Sequence, residues 1–407
     1  MQRRHAFASL IFALACGGSD PGTDPTTDAA TEPAETTDDD ASSSDTPTTA
    51  STIDETSTDP ASSDDAADTT TAEPSGVPEL DGEFVVIGTV DDGLNVPRDL
   101  EFAPDHPDQL WVVNGATHGV VIFSDPGTPE QTAEARVDAY GQHFMAYVSS
   151  LAFGVENRFS SCQESRNEWN VGPQEPDDFM GPSLWSADLD IFAMVNQDFP
   201  PNPLEGSHLD MLHQSPLCMG IAHDTGNVFW TLDGLEGHVV RYDFVEDHGP
   251  GGSSHVDGII RRYLNAVVVR EPEIPSHMEL DHDTGMLYIA DTAGGRIMRL
   301  DTASGATNGD LPNNWDGADE YTGWDGATFE PVVAEGLDLP SGLALHGGRI
   351  FVSDAGTGEL VAYEMDGVEI GRVATSATRI MGITFGPDDR LYYADGFGNE
   401  IVRIEPS

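Results

Sequence analysis

"LPSGLALHGGRIFVSDAGTGELVAYEMDGVEIGRV", residues 339–373, holds four short apolar runs separated by turn residues. The run Leu343–Leu345 leads to a Gly-Gly turn. Ile350–Val352 leads to Asp354 and a Gly-rich turn, Leu360–Tyr363 ends on Glu364, and a fourth run follows Asp366-Gly367. Apolar runs of this length, bounded by Gly and Asp, read as strands joined by hairpins. The stretch therefore predicts a four-stranded antiparallel sheet whose two faces are both apolar.

The same pattern recurs. "VPRDLEFAPDHPDQLWVVNGATHGVVIFSD" starts at Val96, "VSSLAFGVENRFSSCQES" at Val148 and "CMGIAHDTGNVFWTLDGLEGHVVRYDF" at Cys218. "PSHMELDHDTGMLYIADTAGGRIMRLD" starts at Pro275 and "MGITFGPDDRLYYADGFGNEIVRIEP" at Met381. Equivalent starts fall at 97, 148, 218, 275, 340 and 380, and the uneven intervals mark insertions. One such sheet cannot bury both faces alone, whereas six around an axis can. The last copy stops after three strands, and "GEFVVIGTV" (82–90) stands before the first. Pairing 82–90 with the last sheet supplies the missing strand and removes the open edges. The expected fold is all-β, a six-bladed β-propeller over 76–407. The copies resemble the NHL repeat, and the resemblance covers most of 83–407.

The first 75 residues are of another kind. "MQRRHAFASLIFALAC" carries two arginines, an apolar run from Ala6 to Ala15 and then Cys16. The run is too short to span a bilayer and reads as a signal peptide, residues 1–16. "ALAC" resembles a bacterial lipobox, which implies lipidation at Cys16. Residues 17–75 have no basic and no aromatic residue and too little apolar surface to offset the entropy of ordering, so they read as a disordered acidic linker. The implied location is an exported lipoprotein, periplasmic or on the cell surface, with the outer membrane favoured and the lipid as the membrane contact.

The formal net charge is −55, and all 17 basic residues are Arg. Lysine chemistry is thereby excluded, and nucleic acid is a poor partner for so acidic a chain. Cys162 and Cys218 would pair in an oxidising compartment or remain as two buried thiols.

The repeat also sorts candidate functional residues. His106, His223, His282 and His346 fall in first hairpin turns, where turn chemistry accounts for them. Asp233, Asp291, Asp354 and Asp395 recur at second-strand ends and are expected to hold the next turn. His277 is different, because its equivalents are Asp99, Ser150, Gly220, Gly342 and Gly382 at the channel mouth on the face called the top. Two residues on, Glu279 corresponds to Glu101. Blades 1 and 4 face each other, so Asp99/Glu101 and His277/Glu279 should converge.

His143 and His213 enter blades 2 and 3 from the same face. Three histidines with an open fourth position suit Zn²⁺ or Cu. Arg98 and Arg379 border the mouth and are candidates to hold a substrate carboxylate. Insertions at 166–182 and 194–217 are expected on the top, and those at 246–258 and 303–327 on the bottom.

Two classes of function follow. One is a binding module whose top face takes a protein, peptide or glycan. The other is a metal-dependent lyase or hydrolase. Peptidyl-hydroxyglycine amidating lyase is a similar six-bladed propeller with zinc on three histidines, which His143, His213 and His277 match in type though not in blade spacing. The gluconolactonase and strictosidine-synthase propellers are also similar, and by that likeness Asp99, Glu101 and Glu279 would hold Ca²⁺.

Overall fold

The computed structural model describes residues 75–166, 179–199, 202–252 and 254–406. The signal peptide with Cys16, the linker up to residue 74 and most of the 166–182 insertion lie outside them.

Strand β1 (Gly82–Gly88) precedes the first blade. Blade 1 is β2 (Pro97–Ala103), β3 (His106–Asn114), β4 (Gly119–Ser124) and β5 (Thr132–Arg136). Blade 2 is β6 (Val148–Phe153), β7 (Arg158–Gln163), β8 (Ser183–Ser186) and β9 (Asp210–Met211). Blade 3 is β10 (Ile221–Thr225), β11 (Val228–Leu232), β12 (His238–Asp243) and β13 (Ile259–Val267). Blade 4 is β14 (Met278–Asp281), β15 (Met286–Asp291), β16 (Arg296–Asp301) and, after a hairpin β17 (Ala306–Asp310) and β18 (Glu320–Asp325), β19 (Phe329–Val333). Blade 5 is β20 (Pro340–His346), β21 (Arg349–Asp354), β22 (Glu359–Glu364) and β23 (Glu369–Ala374). Blade 6 is β24 (Ile380–Phe385), β25 (Leu391–Asp395) and β26 (Glu400–Pro406), completed by β1. The molecule is a six-bladed β-propeller.

The closure expected from the two chain ends is present. β1 runs antiparallel to β26, with Phe84 opposite Ile404 and Val86 opposite Val402. β1 stops at Gly88 rather than residue 90. Thr89 caps a short 3-10 turn, Val90–Asp92, through its hydroxyl to Asp91 N–H, while Asp92 accepts from Thr89 N–H.

Both faces of each blade are apolar because each packs on a neighbour. Along β3, Leu110 and Val112 face blade 6, while Trp111 and Val113 face blade 2. Six apolar clusters result, one at each blade junction. The largest aromatic assembly joins blades 1 and 2 through Trp111, Phe159, Trp185 and Phe192. Each buried large side chain contributes about 1.5–3 kcal/mol.

Asp233, Asp354 and Asp395 hold the next turn, as expected, while Asp291, Asp354 and Asp395 hold the connection entering their own blade. Asp354 accepts from Gly356 and Thr357 N–H and from Asp338 and Leu339 N–H. Asp395 does the same with Gly398, Thr378 and Arg379.

The 303–327 insertion is not a bottom loop. Its hairpin joins blade 3, where β18 lies parallel to β13 and extends that sheet to six strands. Trp324 stacks on Tyr263 at 5.7 Å, and Arg261 both covers Trp324 and pairs with Glu320. Those side chains fix the strand, and the Asp/Asn/Gly turns only flank it.

Candidate functional site

The inner strands β2, β6, β10, β14, β20 and β24 line the central channel. At their starts the backbones approach too closely for side chains. A Cβ on Gly220 would lie 2.0 Å from Ser276 O, one on Gly342 2.2 Å from Met381 O, and one on Gly382 2.6 Å from Asp99 Cα. Asp99 and His277 stand at this pinched end and meet across the axis. His277 Nδ1 is 3.4 Å from Asp99 Oδ2, and His277 Nε2 donates to Arg98 O at 3.1 Å. Both residues are buried.

The channel mouth expected at the top is therefore closed. Exposure rises along the inner strands toward the other end, from buried Asp99 and His277, through half-buried Glu101 and Glu279, to half-buried His223 and exposed His282. A cavity of about 150 Å³ runs between them, lined also by Leu151, Phe153 and Ile383. It has room for roughly five waters' worth of volume. The open end is at the bottom.

Burial sets the charge state inside. Asp99 is pushed up to about 8 by desolvation, against the lowering effect of N–H bonds from Leu151 and Leu100. Glu279 is also raised to about 8 by desolvation, with Asp99 adding to it. Glu101 is raised well above the usual range by desolvation and then by Glu279, although Phe153 N–H opposes this. Desolvation lowers His277 to about 4. At neutral pH the channel thus holds protonated carboxyls beside a neutral imidazole. No Arg lines the cavity among the described residues.

The predicted three-histidine centre does not form. His277 belongs to the channel, whereas the groups acting on His143 are His213, His208 and His255. The reason is topological: His277 immediately precedes the inner strand β14, while His213 follows β9, the outer strand of blade 2. His213 lies in the seam between blades 2 and 3, its Nδ1 2.5 Å from Asp316 Oδ1 and its ring stacked on Phe179. The expected Ca²⁺ set fares no better. Among the described residues, the three-residue set with ligand atoms within 4.8 Å of one another is Asp210, His248 and Asp257, not Asp99, Glu101 and Glu279.

The arginines are also committed elsewhere. Arg98 is buried, with its guanidinium on Glu164 at 2.5 Å and on Tyr147 O, and Arg270 shares that glutamate. The trio ties together the top connections of three blades. Arg379 lies over the Phe397 ring at 5.2 Å. Cys162 and Cys218 form a disulfide joining β7 to the connection entering blade 3.

The segment 187–199 follows β8 and reaches the connection entering blade 2. Gln197 there bonds Ala139 N–H and Asp138, and Phe199 stacks on Tyr140. His223 and His282, set aside as turn residues, prove to flank the open end with ring centres 6.1 Å apart. The signal was the word "HDTG" at the same hairpin of consecutive blades.

No family model matches this sequence, and no curated protein matches it. Solved structures do match. An auxiliary nutrient binding protein from Bacteroides ovatus is 10% identical over 80% of this chain and 77% of its own, with a TM-score of 0.50. Regucalcin from Agrobacterium tumefaciens, a calcium-binding protein, is 15% identical over 80% and 94%, with a TM-score of 0.46. Virginiamycin B lyase from Staphylococcus aureus is 10% identical over 79% and 98%, with a TM-score of 0.44. What these share with this chain is the fold.

Proposed function

We propose that this protein is an exported, membrane-tethered binding module whose central channel receives a small cationic group, such as a protonated amine, from the bottom face. One observation carries the reading. Three carboxyls, Asp99, Glu101 and Glu279, share one cavity with no Arg or Lys among its lining residues. Burial holds protons on them that an entering cation would displace, turning an energetic cost into an ion pair. The apolar walls at Leu151, Phe153 and Ile383 suit the hydrocarbon part of such a ligand. The net charge of −55 draws cations toward the molecule. Export is supported by the leader ending at Cys16 and by the disulfide, which belongs to an oxidising compartment.

The test is titration calorimetry with methylammonium and putrescine at pH 7.5, in two buffers of different ionisation enthalpy. Binding with release of protons is expected, and its loss in Glu279→Gln. Absence of binding by either probe, or unchanged binding in that variant, overturns the reading. A second reading, a hydrolase or lyase using Glu279 as general acid, is favoured only by its raised pKa. It would show as turnover lost in Glu279→Gln while ligand still binds.

A further inference from the structure

At the seam between blades 2 and 3, Asp210 of β9 is fully buried. Its Oδ1 accepts from Met211 N–H and His255 Nδ1, both at 2.7 Å. Its Oδ2 has no hydrogen-bond partner. A buried carboxylate oxygen left without a partner is destabilising unless something else satisfies it. That oxygen faces His248 Nε2 at 3.7 Å, and His248 Nε2 lies 2.9 Å from Asp257 Oδ1. The three ligand atoms all lie within 4.8 Å of one another.

We propose that Asp210, His248 and Asp257 form a binding site for one divalent transition-metal ion of the Zn²⁺ class, which clips the β12–β13 connection of blade 3 onto the edge strand of blade 2. The spacing fits. Ligands about 2.0–2.2 Å from a shared metal stand roughly 3–3.6 Å apart in tetrahedral or octahedral geometry. One imidazole nitrogen with two carboxylate oxygens is a Zn²⁺, Mn²⁺ or Fe²⁺ set. Ca²⁺ takes six to eight oxygens, and Cu(I) prefers sulfur.

The set is also supported from outside. His255 holds the second oxygen of Asp210, and Asp257 Oδ2 accepts from Glu246 N–H at 3.2 Å. Such outer partners orient ligands before the metal arrives. The connection is already stitched to the strand carrying Asp210, through Gly251 N–H to His208 O and His248 N–H to Leu209 O. His248 and Asp257 keep 23% and 25% of their side chains exposed, which gives an ion a way in and leaves positions for water. The neighbouring imidazoles of His143, His208 and His213 do not form such a set, since no three of their ligand atoms gather as closely.

The full chain, purified without a histidine tag, is analysed by plasma mass spectrometry. It is then stripped with EDTA and titrated with Zn²⁺ against a chromophoric chelator. One metal per chain is expected, with a melting temperature that falls on EDTA treatment and returns with Zn²⁺. His248→Ala and Asp257→Asn, both at partly exposed positions, should lose at least tenfold in Zn²⁺ affinity and become insensitive to EDTA. Glu279→Gln should keep the metal, which separates this site from the channel. Asp210→Asn is less useful, because it also disturbs His255 and Met211. Zn²⁺ binding weaker than millimolar, or affinity unchanged in both His248→Ala and Asp257→Asn, overturns the proposal.

Discussion

Replacing Glu279 by Gln should stabilise the propeller, and only above about pH 5. In the fold this carboxyl is raised from 4.5 to about 8, by desolvation and by Asp99. In the unfolded chain it ionises near the ordinary value. Between those two pH values the unfolded state has released a proton that the folded state keeps, so stability falls as pH rises. Each pH unit of that window costs about 1.4 kcal/mol, which gives a ceiling near 4 kcal/mol at pH 7.5. Water reaching the carboxyl from the open end lowers the effective cost, so a gain of about 2 kcal/mol is expected. Gln keeps the shape and cannot ionise. Urea unfolding of both proteins at pH 4.5, 6.0 and 7.5 reads the difference directly. The two curves should nearly coincide at pH 4.5 and separate steadily above it, with the variant more stable. A variant that is less stable at pH 7.5, or offset equally at all three values, would mean that Glu279 is ionised and paired in the fold. The channel would then hold an ionised Glu279 rather than a protonated one.

Four further outcomes follow from the geometry. Gly220→Ala places a Cβ 2.0 Å from Ser276 O, so a loss of about 3 kcal/mol is expected in denaturant unfolding. Gly226→Ala, where nothing lies near but φ is +54°, should cost only about 1 kcal/mol. Removing the disulfide by Cys162→Ala with Cys218→Ala releases a sequence separation of 56 residues, and the chain-entropy cost is about 4 kcal/mol by the same measurement. Deleting residues 75–88 uncovers the edge of β26, and a concentration-dependent self-association should appear in sedimentation.

The wheel was legible because its signal is periodic. Strands such as Ile350–Val352 and Leu360–Tyr363 recur with turns at fixed places, and the unpaired run at 82–90 matched the gap in the last copy. The pairing of Asp99 with His277 followed from counting blades, since opposite members of a ring must meet. What the sequence did not carry is the tilt and closure of the inner strands. Small residues at 220, 342 and 382 marked a close approach of backbones rather than an open mouth. Whether Gly makes room for a ligand or for a neighbouring carbonyl is decided only in three dimensions. The seam residues were hidden for a different reason. Asp210, His248, Asp257 and Asp316 come from an outer strand and two insertions, and insertions have no counterpart in the repeat. The grouping of His143 with His213 and not with His277 depends on radial distance from the axis, which spacing along the chain does not encode.

The pairing of β1 with β26 has a consequence for how the molecule is made. The first strand of the wheel to be synthesised is the last to find its neighbour, because its partner Glu400–Pro406 follows every other strand of the propeller. A nascent or prematurely terminated chain can stack five sheets and still carry an unsatisfied ribbon at Gly82–Gly88. That ribbon fits the last sheet of any other copy as well as its own. Truncated products would therefore exchange this segment between molecules, and synthesis of Glu400–Pro406 is the event that lets each chain close its own ring.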